Sequence, residues 1–95
     1  MPLNIEFDPT IFSQLELMSP AKIKSIRKKF GFTQANFANM LGVKYITYCS
    51  WERGVRSPSS PSHALLNIAD KHPTVFLENR KEIIVNIMKY FKAVH

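Results

Sequence analysis

Cysteine is nearly absent from this 95-residue chain: Cys49 stands alone, so no disulfide can close within it. Histidine is sparse as well, and His63, His72 and His95 lack the close spacing of metal ligands. Neither a metal nor any other cofactor is expected. No apolar run approaches the roughly 20 residues of a membrane span, and no charged-then-apolar segment opens the chain, so a cytosolic protein with no membrane contact is expected. No glycine-rich phosphate loop and no constellation of histidine, cysteine and carboxylate is present, which argues against an enzyme. Acidic residues are few, 7 against 13 Lys and Arg, leaving a net charge of +6.

What remains is the composition of one small globular domain, 45% apolar and 12% aromatic. A chain of this length buries roughly 60 to 65% of its unfolded surface, enough for one modest core. The charge is unevenly spread. Residues 1–18 carry Glu6, Asp8 and Glu16 and no base, a balance of −3. Residues 19–56 carry Lys22, Lys24, Arg27, Lys28, Lys29, Lys44, Arg53 and Arg56 against Glu52, a balance of +7. An acidic leader on a basic middle suggests partners of opposite sign.

Helix punctuation is dense. Ser19 followed by Pro20 reads as a cap and first turn, Ile23, Ile26 and Phe30 follow at helical spacing, and Gly31 stops the helix. Thr33 caps a second short helix whose apolar stripe is Phe37, Ala38 and Leu41, ending at Gly42. A third runs from about Lys44 to Arg53 and stops at Gly54, so two short helices meet across a tight glycine-containing turn. Beyond the connector VRSPSSPS, Ser60 and Pro61 read as cap and first residue of a fourth helix, with Ala64, Leu65 and Ile68 inward, to about Lys71. His72 and Pro73 interrupt it. A fifth helix is expected from Asn79, with Glu82 as a variant capping box and a stripe of Ile83, Ile84, Ile87, Met88 and Phe91. That stripe serves either as a dimer seam, through Ile84, Ile87, Met88 and Phe91, or to finish the chain's own core.

The leader follows another period. Leu3, Ile5 and Phe7 alternate with Asn4, Glu6 and Asp8, the two-residue pattern of a strand with nothing in this chain to pair with. It is expected to add to another chain's sheet, to pair with a second copy of this chain, or to remain disordered. The organisation is thus a leader at 1–18, a helical domain at 19–78 and a final amphipathic helix at 79–95.

The third helix has two sides. Tyr48 and Trp51 make a core face against Phe37 and Leu41, which leaves Tyr45, Ile46, Cys49 and Ser50 turned outward. Tyrosine and isoleucine side by side on a surface ask for a partner. A DNA major groove supplies one, since it admits a helix and offers thymine methyls and base edges to apolar and hydroxyl groups. Lys44, in the first turn, opposes the helix dipole, and a phosphate there would offset the penalty of roughly 0.3 to 1 kcal/mol.

These residues carry a resemblance. FTQANFANMLGVKYITYCSWERGVRSPSSPS is similar to the XRE, or Cro and repressor-like, helix-turn-helix family, and most similar to its HigA-type antitoxins: a Thr-Gln opening, a Leu-Gly-Val turn, a Trp-Glu-x-Gly end and a following Arg-x-Pro-Ser recur. The similarity spans about residues 19 to 77. It implies an all-α, five-helix, lambda-repressor-like domain that binds double-stranded DNA as a homodimer on a palindromic operator, represses its own operon and neutralises a HigB-like ribonuclease toxin. Solitary phage-type repressors share the same core and stand as the alternative.

Carried over position by position, the resemblance makes Tyr45, Ile46 and Ser50 base-reading residues with Lys44 and Cys49 beside them. It makes Thr47 a packing or phosphate position, and Gln34, Arg53 and Arg56 backbone contacts. It also implies an internal ion pair between Arg27 and Glu52. Lys22, Lys24, Lys28 and Lys29 read mostly as a solvated helix face. The chain departs from the family pattern at Lys44, which replaces a small hydroxyl cap, at Tyr48, which replaces a branched aliphatic residue, and at Cys49.

Overall fold

The computed structural model describes residues 18–94, all helix and connection, with six helices among them. These are α1 (Pro20–Phe30), α2 (Gln34–Leu41), α3 (Tyr45–Glu52), α4 (Ser60–Lys71), α5 (Pro73–Glu78) and α6 (Arg80–Val94). The leader residues Leu3, Ile5 and Phe7 lie outside the described residues, as does His95. No described helix is long and apolar enough to cross a membrane.

The first two helices are closed at both ends by their own sequence. Ser19 Oγ accepts from the Lys22 amide at 3.1 Å and Thr33 Oγ1 from the Asn36 amide at 3.1 Å. At the other ends Gly31 and Gly42 adopt φ of 72° and 75°, and the next residue's amide turns back, Phe32 N to Arg27 O at 3.4 Å and Val43 N to Ala38 O at 3.0 Å. A Cβ on Gly42 would make only an ordinary contact, 3.7 Å from Ile84 Cδ1, so the left-handed backbone and not crowding is what calls for glycine there.

Gly31 and Gly54 separate backbone strain from crowding. Both have positive φ, 72° and 74°; a Cβ on Gly31 would meet nothing within 4 Å, while one on Gly54 would sit 3.3 Å from Pro20 Cγ. Gly31→Ala is expected to cost about 1 kcal/mol for the left-handed conformation alone. Gly54→Ala should cost about 1 kcal/mol more, because α1 must also shift away from the turn after α3. Urea midpoints of the two variants check this; equal losses would show that the Pro20 contact is unimportant.

Three boundaries differ from the expected ones. Ser59, not Ser60, caps α4, its Oγ accepting from the Ser62 amide at 3.4 Å, so Pro61 is the second helical residue. Pro73 does not simply end a helix; it opens α5, because a first-turn proline forfeits no bond the helix would have used. Phe76 then becomes fully buried, which holds this short turn in place. Asn79 spends its side chain on the preceding helix, donating to Val75 O at 3.1 Å, instead of capping α6.

One core runs through all six elements. Ile23 and Ile26, Phe37 and Leu41, Tyr48 and Trp51, Leu65 and Leu66, Phe76, and Ile83 and Ile87 are buried in it. An aromatic row joins the first three helices: Phe32 stacks on Phe30 at 5.8 Å between centroids, Phe30 meets Phe37 at 5.7 Å, Phe37 meets Tyr48 edge-on at 5.4 Å and Tyr48 meets Trp51 at 5.7 Å. Helix α6 packs chiefly on α4. Ile87 is therefore interior, and the expectation of it as a contact to a second copy is corrected: it cannot reach another chain without opening the domain. Ile84 and Phe91 are partly buried against the same core, and Met88 is exposed, as is Val85. The stripe finishes the core because its centre lies against α4, while its flank stays outside.

Candidate nucleic-acid interface

α3 is pinned from behind and bare in front. Tyr48 and Trp51 go inward, while Tyr45 keeps 52% and Ile46 77% of its surface. Lys44 caps the helix with an extended backbone and no side-chain bond, so the first-turn amides are left without a side-chain acceptor from the cap. Arg53 and Arg56 are exposed just past the last turn, and Thr47 and Cys49 are half-buried between the two faces. Lys44, Tyr45, Ile46, Arg53 and Arg56 are each accessible, and helical spacing brings Ile46 and Arg53 to the same side of α3.

Ser50 does not join them. It is buried to 6% exposure, against the outward position expected of it. Its hydroxyl donates to Thr47 O at 2.6 Å, and its carbonyl accepts the amides of Val55 at 2.9 Å and Arg56 at 3.3 Å. Helical spacing places Ser50 correctly on the wheel but cannot show that the chain after Gly54 folds back over it. The same return leaves Val55 exposed beside the two arginines, a residue that reading along the helix had not singled out.

Gln34 is also engaged within the domain. Glu52, the last residue of α3, accepts four donors: Arg27 Nε at 2.7 Å and the Tyr48 hydroxyl on Oε2, and Arg27 Nη2 at 3.2 Å and Gln34 Nε2 at 3.1 Å on Oε1. Arg27 and Glu52 form an ion pair whose side chains keep only 14% and 5% of their surface. Arg27 Nη1 donates to Phe32 O at 3.0 Å, tying the α1–α2 corner to the same group. Tyr48, where the family resemblance implies an aliphatic residue, thereby satisfies a hydroxyl that burial would otherwise strand. The four-residue spacing of Tyr48 and Glu52 was a usable signal for that bond; the 18-residue separation of Gln34 and Glu52 was not. Burial pushes the Glu52 carboxyl up, but the bonds from Arg27, Tyr48 and Gln34 outweigh it and hold it below the usual range. The bond from Glu52 likewise raises Arg27, and burial raises the Tyr48 phenol far above its ordinary value.

Residues 3–80 match the family described as the antitoxin component of bacterial toxin-antitoxin systems, MqsA. The chain belongs to the MqsA antitoxin family. A curated relative, Antitoxin HigA-2 of Vibrio cholerae serotype O1, is 34% identical over 56 residues, covering 59% of this chain and 54% of the relative. The chain thus spans about half the length of that relative. Among the described residues of this MqsA-family chain, no group of His, Cys, Asp and Glu could hold a metal ion.

The basic face of the MqsA-family chain's α1 is partly neutralised from within. Lys22 and Lys29 reach Asp70 on α4 at 3.2 and 3.1 Å, leaving Lys24 and Lys28 exposed on the same helix. Burial raises the Asp70 carboxyl, yet the bonds from Lys29 and Lys22 carry it below its ordinary value. Asp70 and Glu52 both have depressed folded values, so their stabilisation is present above the unfolded value near 4 and is lost as pH falls through the folded values. The urea midpoint should hold between pH 7 and 5 and drop below about pH 4. Asp70→Asn should remove only a minor part of that drop, about 1 kcal/mol or less, because its lysines are well solvated. An unchanged midpoint at pH 3 would contradict the assignment.

Proposed function

We propose that this chain is a DNA-binding antitoxin and autorepressor that reads a palindromic operator as a homodimer and neutralises a ribonuclease toxin encoded with it. The observation carrying the reading is the division of α3: Tyr48 and Trp51 lock its back into the core while Tyr45 and Ile46 stand exposed, flanked by Lys44, Arg53 and Arg56. In this reading α2, the turn at Gly42–Lys44 and α3 form a lambda-repressor-like helix-turn-helix. α3 enters the major groove, Tyr45 and Ile46 meet base edges and thymine methyls, and Lys44, Arg53 and Arg56 meet phosphates. Thr47 and Cys49 line the edge of that contact. One such helix reads too few base pairs to be selective, so two copies bind half-sites about one helical turn apart. The antitoxin role is supported by the family membership, and the toxin contact is assigned to the acidic leader through Leu3, Ile5 and Phe7.

The test is a duplex selected by the wild-type chain from a random pool. Tyr45→Ala combined with Ile46→Ala is expected to weaken binding to it by about 10- to 100-fold, at roughly 1 to 3 kcal/mol of lost discrimination. The melting temperature should move by only a few degrees, since both residues are exposed in the free protein. If the double variant keeps full preference for the selected duplex, α3 does not read DNA. A pull-down with the product of the neighbouring gene, comparing full-length chain with a Leu3→Asp, Ile5→Asp, Phe7→Asp variant, tests the toxin contact; undiminished capture removes the leader from it.

A further inference from the structure

We infer that Val55 is a further specificity-determining residue, placed beside α3 to meet the methyl group of a thymine. The inference rests on the DNA-reading proposal and adds to it a residue from outside the helix. Ile46 at 77% and Val55 at 68% are the two most exposed large apolar side chains among the described residues. Ser50 follows Ile46 by one helical turn, so these two start on one side of α3. The Ser50 carbonyl accepts the amides of Val55 at 2.9 Å and Arg56 at 3.3 Å, which brings the returning chain to that same side.

The end of the helix, not a free loop, sets the position of Val55. Gly54 takes a φ of 74°, its amide donates to Trp51 O at 3.1 Å, and the Val55 amide turns back to Ser50. This is the closure in which a left-handed glycine satisfies the last carbonyls of a helix. Val55 is therefore carried by α3 into whatever α3 enters. Exposed Arg53 and Arg56 flank it in the chain, and such cations call for a polyanion. A valine has no donor to share in binding phosphate. What it offers DNA is apolar contact, and the apolar group on the major-groove edge of a base pair is the thymine C5-methyl. Joining the two removes both from water.

The full-length chain is measured on the duplex selected by wild type and on copies in which one thymine of each half-site is replaced by uracil, which loses the methyl group and keeps the pairing edge. Wild type should bind at least one such copy about tenfold more weakly, the effect of about one buried methyl group per half-site. Val55→Ala should bind the selected duplex about tenfold more weakly and show no further loss with that uracil copy, whereas Ile46→Ala still shows it. On a scrambled duplex Val55→Ala should stay within about twofold of wild type, since Lys44, Arg53 and Arg56 still meet phosphate. Its melting temperature should stay within about 2 °C, because the side chain is exposed in the free protein. If Val55→Ala keeps every uracil penalty of wild type, or wild type shows none beyond those that Ile46→Ala abolishes, the inference is overturned while DNA reading stands. Equal losses on selected and scrambled duplexes also overturn it. So does a variant with wild-type affinity for DNA and weakened capture of the neighbouring gene's product, which assigns Val55 to a protein contact. A wild-type chain that selects no duplex defeats DNA reading and this inference with it.

Discussion

Glu52→Gln is expected to destabilise the domain by about 3 to 5 kcal/mol, the range for removing one partner of a buried ion pair. The substitution preserves shape and leaves the Arg27 guanidinium, with its 14% residual exposure, facing a neutral amide whose NH₂ is set against two of the four donors that Glu52 accepted. At about 4 to 8 °C per kcal/mol for a domain of this size, the melting temperature should fall by about 15 to 30 °C. Against a total stability of about 5 to 15 kcal/mol this is a large share. Replacing the buried members of the group, Arg27→Met with Tyr48→Phe and Glu52→Leu, should cost less than Glu52→Gln alone, because no charge is left unpaired and only the half-buried Gln34 amide and the Phe32 carbonyl lose a bond. Thermal and urea melts of the two proteins settle the order. If Glu52→Gln melts within about 3 °C of wild type, the pair is better solvated than its burial indicates.

Binding to the selected duplex should weaken by about a thousandfold between 50 and 200 mM salt. Lys44, Arg53 and Arg56 supply three cations per copy, and a dimer placing all of them on phosphates has a log-log slope of about −5. Arg56→Ala removes one contact from each copy and should flatten that slope by about 2, lowering affinity for selected and scrambled duplexes alike. Fluorescence anisotropy over a salt series reads both quantities. A wild-type slope shallower than about −2 would mean that this surface does not bind a polyanion through these residues.

Local chemistry explains which parts of the molecule were legible in its sequence. Ser19, Pro20, Gly31, Thr33 and Gly42 act on backbone groups three to five residues away, and α1 and α2 begin and end where those residues say. The errors arose where a residue had a choice of partners. Asn79 can serve the helix before it or the helix after it, and it serves α5. Ser59 and Ser60 are equivalent as caps on paper, and the chain uses the first. Pro73 reads as an interruption until the burial of Phe76 makes a short α5 worthwhile.

The candidate interface divides in the same way. That α3 has Tyr48 and Trp51 on one side and Tyr45 and Ile46 on another follows from spacing alone, since an α-helix turns by a constant angle per residue. The cationic surround of Lys44, Arg53 and Arg56 is likewise written in the chain, because charged side chains rarely enter a core without a partner. What only the tertiary structure decided is which polar residues are spent internally: Ser50 beneath the returning loop, Gln34 and Tyr48 on Glu52, Lys22 and Lys29 on Asp70, and Ile87 in the core instead of at a seam. A sequence states what each side chain is able to bond, while the choice among bonds is made by distances that exist only once six helices have packed.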